Sequence, residues 1–205
     1  MTGQLLWYAA YGSNLHLARL TAYLAGGRPP GGARAHPGCR DPRPPRATRP
    51  IQLPGQLYFA LESTLWTGGM AFYDPLDPGL TPARAYLLTA EQFADLAAQE
   101  MHRAPGTDLD LRPVLSHGRA TLGPGRYETL VHPGDLEGLP LLTLTAPWRT
   151  ADAPLARPAL GYLHHLAAGL HESHAWPTPR SAAYLSTRPG AAGHWTAVEL
   201  TELLG

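Results

Sequence analysis

LLWYAAYGSNL, residues Leu5 to Leu15, sets the start of the fold. Its apolar and aromatic part, Leu5–Tyr11, is typical of a short strand buried on both faces. The strand stops at Gly12-Ser13-Asn14, where a glycine lets the backbone approach a ligand and free N–H groups at a helix start attract an anion. A glycine turn before a capped helix is also a common structural feature. The pattern alone leaves both interpretations open.

A helix is predicted directly after this turn, with Ser13 or Asn14 as its cap. Leu17, Leu20 and Leu24 then fall on one helical face. Residues 25–50 that follow are rich in Pro, Gly and Arg. Proline lacks a backbone N–H donor and glycine adds chain entropy, so this stretch is predicted to be a long surface loop without regular structure.

Five more strands and two more helices follow from hydrophobic periodicity and turn residues. The first three strands are closely spaced and bounded by Gly, Pro or Asp, which predicts an antiparallel sheet. The predicted strands are Gly55–Glu62, Gly69–Tyr73, Ala83–Leu88, Arg126–His132 and Leu139–Thr145, and the helices are Ala159–His174 and Ser181–Thr187.

A further helix is predicted after Thr89, which offers a capping side chain. Phe93, Leu96, Ala97 and Glu100 recur at i, i+3, i+4 and i+7, so Glu100 shares the face that should point inward. A buried carboxylate is costly unless it is paired or its proton affinity is raised, which is typical of a general acid or base. The alternative is a solvated Glu near a helix C-terminus.

Composition narrows the class of protein. At 205 residues with 44% apolar content, the chain fits one domain covering residues 1–205. All 16 basic residues are Arg and the formal net charge is zero, which favours neither a nucleic-acid nor a membrane partner. The single Cys39 excludes an intramolecular disulfide. Without a membrane-spanning run or a basic and hydrophobic leader, the predicted location is the cytoplasm.

Three motifs in order resemble the γ-glutamylcyclotransferase-like family. Tyr11-Gly12-Ser13-Asn14-Leu15 is similar to its Tyr-Gly-Ser-Asn-Leu signature, and Trp66-Thr67-Gly68-Gly69 resembles its Trp-His-Gly-Gly segment. Leu96–Glu100 resembles the family helix that ends in the catalytic glutamate. Tyr127 resembles a strand-opening tyrosine, and Pro158–Tyr162 a Pro-Ser-x-x-Tyr stretch.

This resemblance implies an α+β fold, with a mixed, mainly antiparallel sheet curled into a small barrel and flanked by helices. It implies that the Tyr11–Leu15 backbone and Tyr127 bind a small γ-glutamyl amide. Glu100 then removes a proton from the substrate ammonium, and cyclisation gives 5-oxoproline and an amine without a metal or another cofactor. We therefore predict that Glu100 lies within a few ångströms of Gly12-Ser13-Asn14. A homodimer is left open.

Three departures from the family pattern leave the substrate open. Met101 replaces the usual Gly after the glutamate, extra residues separate Glu100 from Tyr127, and Leu139–Thr145 lacks a tyrosine that characterised members carry. One alternative function is a non-catalytic module that binds an amino-acid or peptide carboxylate. Another is an amide hydrolase of the deacetylase type.

Other clusters are predicted to be structural. Four histidines crowd one helix, but only His171 and His174 are near enough to share a metal ion. Cys39 is interpreted as structural, since nothing orients His36 to activate it. A solvated loop is the favoured interpretation of the loop arginines, with an anionic contact as the alternative. The histidines are His164, His165, His171 and His174, and the arginines are Arg28, Arg34, Arg40, Arg43, Arg46 and Arg49.

Overall fold

The computed structural model describes residues 3–29, 32, 35–63 and 67–205. They group into two compact units. The first unit comprises Met1–Ala10, Ala18–Arg49 and Arg84–Pro147, and the second comprises Tyr11–Leu17, Pro50–Ala83 and Trp148–Gly205. The prediction of one domain over the whole chain stays a prediction.

In the described residues, eight strands form one six-stranded sheet and one separate pair. The sheet has the order β2-β5-β1-β8-β7-β6, and the pair is β3-β4. β1 runs antiparallel to β5 and parallel to β8, while β7 is antiparallel to both β6 and β8. The strands are β1 (Leu5–Ala10), β2 (Thr48–Pro54), β3 (Gln56–Ser63), β4 (Gly68–Asp74), β5 (Leu80–Thr89), β6 (Arg119–Thr121), β7 (Thr129–Leu136) and β8 (Leu139–Thr145). The prediction of a mixed, mainly antiparallel sheet is confirmed.

The predicted closure of this sheet into a barrel is wrong. Within the described ranges, the edge strands β2 and β6 do not pair with each other. β6 contains only three residues, so it offers few backbone groups for closing the sheet. Among the described residues, the hairpin β3-β4, which the spacing placed with β5, forms a separate two-stranded sheet, and Ala60 of β3 makes an isolated bridge with Leu155.

The described part of the chain also contains six α-helices. They are α1 (Leu17–Ala25), α2 (Ala90–Glu100), α3 (Arg112–His117), α4 (Leu160–His174), α5 (Thr178–Ser186) and α6 (Ala197–Leu204). The predicted cap of α2 is confirmed, because the Thr89 side chain accepts from Gln92 N and the Gln92 side chain accepts from Thr89 N. The sequence analysis missed α3 and α6, as well as β2 and β6. No helix in the described ranges has the length and apolarity needed to cross a membrane.

The predicted start of α1 is wrong. A three-residue 3-10 helix, Ser13–Leu15, follows the glycine turn, and α1 begins only at Leu17. Gly12 occupies the position before the 3-10 helix, and no side chain caps it there. Asn14 and Leu15 are buried, so these residues belong to the core rather than to an exposed cap. The backbone N–H groups of α1 are therefore not at Gly12-Ser13-Asn14.

Hydrogen bonds attach the Pro/Gly/Arg-rich loop to the rest of the first unit. Cys39 N donates to Leu24 O at 2.8 Å, and Gly27 and His36 form an isolated antiparallel bridge. Arg40 binds the carboxylate of Asp95 on α2. The interpretation of this loop as merely solvated is therefore wrong at Arg40. The loop also ends earlier than predicted, because β2 begins at Thr48. Arg34 lies outside the described residues.

Candidate functional site

Glu100 is the last residue of α2, and the sequence of this helix explains how it is held. The faces of α2 that carry Phe93, Leu96 and Ala97 are fully buried. Glu100 itself is half-buried. The position of Glu100 on the inward stripe thus follows from the 3.6-residue period together with the cap at Thr89. The alternative of a fully solvated Glu is not what the structure shows.

Tyr23 of α1 is hydrogen-bonded to Glu100. Burial raises the pKa of Tyr23 well above its usual range, and the charge of Glu100 and the hydrogen bond with it act in the same direction. Arg19 opposes this shift, and Tyr8 adds to it. Tyr23 therefore keeps its proton at neutral pH, and its hydroxyl donates to the Glu100 carboxylate. Such a donor stabilises the ionised carboxylate, the form that a general base needs.

A buried arginine lies beside this pair. Arg19 is only 3% exposed and precedes Tyr23 by four residues on α1, so both side chains lie on one helical face. The His36 ring packs on the Tyr23 ring with 3.8 Å between centroids. Burial lowers the pKa of His36, and the positive charge of Arg19 lowers it further. We call Tyr8, Arg19, Tyr23, His36 and Glu100 the Glu100 cluster.

Backbone contacts hold the Glu100 cluster in place. Gln99 Nε2 donates to the carbonyl oxygen of Tyr23 at 3.0 Å. Cys39 Sγ donates to the same oxygen at 3.4 Å and to Gln92 O at 3.7 Å. Burial raises the pKa of the Cys39 thiol to about 12, and the nearby Asp95 and Asp41 charges add to the effect. Cys39 is therefore protonated and a poor nucleophile, in agreement with its structural interpretation.

The Tyr11–Leu15 loop lies in the second unit, where Tyr162 of α4 contacts it. A Cβ atom added to Gly12 would lie 3.3 Å from Tyr162 Oη and 3.5 Å from Ala71 Cβ, so only glycine fits here without a shift. Tyr162 Oη also accepts from Ala71 N at 3.1 Å. At the other end of the loop, a Cβ on Gly169 would lie 2.3 Å from Leu15 Cβ. Close packing on both sides fixes the backbone of the loop.

His16, the residue that follows the loop, contacts two side chains of α4. His16 Nδ1 lies 3.1 Å from His165 Nδ1, and His16 Nε2 lies 3.4 Å from Glu172 Oε1. One Nδ1 must donate and the other accept, so the protonation of the two rings at this nitrogen is complementary. Glu172 also accepts from Leu17 N at 3.0 Å. His16 and Glu172 thus attach the end of the loop to α4.

Tyr127 is placed differently from the prediction. It is half-buried in a turn, and β7 opens two residues later at Thr129 rather than at Arg126. Glu128 shapes this turn by accepting from Gly125 N at 2.8 Å and by pairing with Arg103. Backbone donation from Gly125 lowers the pKa of Glu128, and the hydrogen bond from Arg103 acts in the same direction.

The histidines of α4 do not form a metal site. His171 Nδ1 contacts Trp176 O at 3.2 Å, and His174 contacts Ile51 O at 3.2 Å and Ser173 Oγ at 2.7 Å. Throughout the described part of the chain, no three His, Cys, Asp or Glu side chains are arranged to hold a metal ion. The structural interpretation of these histidines is therefore the one that the contacts support.

Sequence reasoning found Glu100 but missed most of its neighbours. Arg19, Tyr23 and His36 went unnoticed, although the i, i+4 spacing of Arg19 and Tyr23 was a usable signal. Tyr162 was predicted only as the last residue of the Pro158–Tyr162 stretch, with no contact to Gly12. Trp66 lies outside the described residues, so the Trp66-Thr67-Gly68-Gly69 motif is described from Thr67 onward. That Glu100 and Gly12-Ser13-Asn14 lie within a few ångströms stays a prediction.

Comparisons with known proteins show the fold. No protein-family model matches the chain. A solved structure titled gamma-glutamyl cyclotransferase is similar over 98% of both chains with a TM-score of 0.54 and 15% identity. A crystal structure of an uncharacterized protein from Homo sapiens is similar over 98% of both chains with a TM-score of 0.53 and 15% identity. The chain thus has the γ-glutamyl cyclotransferase fold.

A curated relative extends well beyond this chain. Histone deacetylase 5 from Arabidopsis thaliana is 31% identical over 198 residues, which cover 88% of this chain. The chain spans 30% of the length of that relative.

Proposed function

We propose that the protein is a γ-glutamylcyclotransferase-like enzyme that converts a γ-glutamyl amide to 5-oxoproline and releases an amine, with Glu100 as general acid and base. The observation that carries the proposal is the Glu100 cluster, in which a half-buried carboxylate receives a hydrogen bond from Tyr23 beside the buried Arg19. The likeness to a structure titled gamma-glutamyl cyclotransferase supports an enzyme of this type.

The proposed reaction needs one group that both takes and returns a proton. Glu100 removes a proton from the substrate α-ammonium, and the freed amine attacks the γ-carbonyl carbon of the same molecule. A C–N bond forms, and the amide C–N bond breaks as the protonated Glu100 gives its proton to the departing nitrogen. The attacking nitrogen still carries one extra proton after the new bond forms, and it releases this proton to solvent to give the neutral lactam. Because nucleophile and electrophile belong to one molecule, holding a bent conformer supplies much of the acceleration.

Tyr23 and Arg19 have a positioning role in this proposal. The Tyr23 hydroxyl donates a hydrogen bond to the Glu100 carboxylate, which restricts the rotamers of Glu100, and Arg19 adds a buried positive charge beside this pair. The His36 ring and the carbonyl contact from Gln99 keep Tyr23 itself in place. The Glu100 cluster thus holds the carboxylate of Glu100 in a defined position.

The substrate-binding residues of the proposal are Tyr11, Gly12, Ser13, Asn14, Leu15 and Tyr127. Their role rests on the resemblance to the family signature. The tight contact between Gly12 and Tyr162 supports a rigid loop backbone, which a binding site needs. The partner is a small γ-glutamyl compound, and the cytoplasm remains the predicted location.

Two alternatives are tested together with this proposal. A binding module would hold an amino-acid or peptide carboxylate without turnover. An amide hydrolase is suggested by the name of the Arabidopsis thaliana relative, although the chain covers 30% of that protein. A hydrolase must activate a water molecule, and Glu100 and His36 are the groups of the Glu100 cluster suited to that task, because burial lowers the pKa of His36 and favours its neutral form.

The deciding experiment incubates the protein with a panel of γ-glutamyl amines, γ-glutamyl peptides and an acetylated lysine peptide, and identifies products by mass spectrometry. We expect 5-oxoproline and a free amine from at least one γ-glutamyl compound. Release of glutamate or acetate, without 5-oxoproline, would instead establish the hydrolase. Saturable binding of the panel without any product would establish the binding module.

We expect Tyr23→Phe to move the acidic limb of the pH–rate profile to higher pH. Phe keeps the ring that packs on His36 but removes the donor to Glu100, so the carboxylate is harder to ionise. A hydrogen bond to a charged group contributes about 1.5–3 kcal/mol, which corresponds to a move of roughly one to two pH units. The measurement is kcat/KM against pH for the best substrate of the panel.

Tyr184→Phe is the matched control for this variant. Burial also raises the pKa of Tyr184, but its ring packs on Trp176 in the second unit, with 5.6 Å between ring centroids. Its profile should coincide with that of the wild-type protein. An unchanged acidic limb in Tyr23→Phe would show that Tyr23 does not support the base.

A further inference from the structure

A concave site lies within the second unit. The cavity has a volume of about 480 Å³. Cavities of roughly 300–1,000 Å³ are typical of small-molecule sites. Six residues of its lining matter here, namely Glu62, Thr67, Gly68, Arg157, Pro158 and Trp195.

Arg157 is held in position beside this cavity by an aromatic platform. Its guanidinium carbon lies 4.0 Å from the centroid of the Trp195 ring. Trp195 Nε1 donates to Pro158 O at 3.0 Å, which fixes the orientation of the indole. Hydrogen bonds from Thr196 lower the pKa of Glu199, and the positive charge of Arg157 lowers it further. A guanidinium stacked in this way presents its planar donor edge to a carboxylate or phosphate.

A β-bulge presents Glu62 on the same cavity. The register of β3 against β4 shifts between Ala60 and Ser63, and Leu61 has a φ of 56°. A positive φ is unfavourable for a leucine, and bulges of this kind re-aim side chains near functional sites. Leu61 N donates to Pro154 O at 3.0 Å, which holds the distorted backbone. Glu62 is exposed, so its carboxylate is accessible.

The backbone between these two charges is rigid. Gly69 N donates to Arg157 O at 2.7 Å. A Cβ atom on Gly68 would lie 2.7 Å from Ala159 N, and one on Gly69 would lie 2.2 Å from Ala156 O. Both positions therefore require glycine. The Gly68-Gly69 pair fastens the start of β4 to the segment that carries Arg157, which pre-organises the cavity wall.

Glu62 and Arg157 have opposite charges but do not pair. No ion pair within 4.0 Å joins either side chain to a charged partner among the described residues. A cavity with an unpaired carboxylate and an unpaired guanidinium is complementary to a ligand that carries both an ammonium and a carboxylate. The lining also includes the apolar side chains of Ala156, Pro158 and Leu160, which suit a short aliphatic part of the ligand.

We propose that this cavity binds a small zwitterion, a free amino acid or a short peptide, with its carboxylate on Arg157 and its ammonium on Glu62. None of the lining residues belongs to the Glu100 cluster or to the proposed substrate-binding residues, so the proposal does not depend on the cyclotransferase activity.

The test measures binding of L-leucine and glycyl-leucine by isothermal titration calorimetry. N-acetyl-leucine, which lacks the ammonium, and leucinamide, which lacks the carboxylate, are the comparison ligands. We expect saturable binding of at least one zwitterion and roughly 10- to 100-fold weaker binding of both comparison ligands, from the loss of a charged hydrogen bond. Stronger binding of leucine or of glycyl-leucine distinguishes the amino acid from the peptide.

Variants locate the binding on the cavity. Arg157→Gln and Glu62→Gln should each weaken binding by roughly 10- to 100-fold. Arg180→Gln is the control, since Arg180 also stacks on a tryptophan, Trp176, at 4.2 Å but does not line the cavity. A thermal melt of each variant reports on folding. Absence of saturable binding, equal binding of N-acetyl-leucine, or unchanged binding in Arg157→Gln would each overturn the proposal.

Discussion

Glu100→Gln should abolish turnover while leaving substrate binding nearly intact. Gln keeps the shape of the side chain and can accept from the Tyr23 hydroxyl, but it cannot take a proton from the substrate ammonium. The attacking amine would then stay protonated and non-nucleophilic. Loss of a general base typically costs about 10²–10⁴ in rate, and the same group also protonates the leaving nitrogen. We therefore expect kcat to fall by about 10⁴, with a substrate Kd close to that of the wild-type protein.

The control for this variant is Glu91→Gln, at the opposite end of α2. Glu91 approaches Arg40 at 3.6 Å and belongs to the first helical turn, so it lies outside the Glu100 cluster. Its kcat should match that of the wild-type protein. Full activity in Glu100→Gln would show that another group is the base, and the proposed function would lose the residue on which it depends.

The parts of the structure that the sequence predicted are those set by local pattern. The cap at Thr89, the inward stripe and the position of Glu100 all lie within one helix, so the 3.6-residue period was sufficient. β8 was predicted with its observed bounds, Leu139–Thr145, since the apolar run is short and ends at turn residues. The γ-glutamyl cyclotransferase fold came from a resemblance over three short motifs.

The parts that the sequence did not predict depend on contacts between distant residues. The β3-β4 hairpin and the open edge at β6 are matters of strand pairing, on which the periodicity of a single strand gives no information. The loop residue Arg40 and Asp95 are 55 positions apart, and no local signal connects them. The turn at Tyr127 was missed because Glu128, which reads as a strand residue, bonds back to Gly125.

Asp95 is the residue whose loss should cost the most stability. Its side chain is completely buried, and it accepts from Arg40 N at 2.8 Å, from Arg40 Nε at 3.0 Å and from Gly106 N at 2.8 Å. Arg40 Nη2 continues to Asp108 at 2.8 Å. These contacts join the Pro/Gly/Arg-rich loop and the segment after α2 to the helix that carries Glu100.

Asp95→Asn should lower the free energy of unfolding by about 3 kcal/mol at pH 7. Removing one partner of a buried ion pair typically costs about 3–5 kcal/mol. The lower end applies because the Arg40 side chain is 33% exposed and keeps Asp108 as a partner. The NH2 group of the introduced Asn cannot accept a hydrogen bond, so some of the Arg40 and Gly106 donors would lose the acceptor that the carboxylate provides. Urea denaturation followed by circular dichroism measures the change, and a loss below 1 kcal/mol would contradict the role of Asp95 as the anchor.

The difference between wild type and Asp95→Asn should shrink in acid. Burial alone would raise the pKa of Asp95, but the hydrogen bonds from Arg40 and Gly106 outweigh it and hold this pKa below its usual range. A carboxyl with a lowered pKa in the folded state contributes stability above its unfolded pKa, about 3.9, and loses it as the pH falls through the folded value. Asn does not titrate, so unfolding midpoints of the two proteins should converge below about pH 4.

Asp110→Asn tests the contribution of an exposed ion pair to stability, for comparison with the buried pair that Asp95 forms. Asp110 binds Arg112 with Oδ2 and Nη2 2.8 Å apart, and the hydrogen bonds from Arg112 lower the pKa of Asp110 to about 2. Both side chains are nonetheless largely exposed, so water and salt screen the interaction and its net contribution is small. We expect no measurable change in the unfolding midpoint of Asp110→Asn at pH 7. Equal destabilisation in Asp110→Asn and Asp95→Asn would show that burial is not what makes the Arg40–Asp95 pair important.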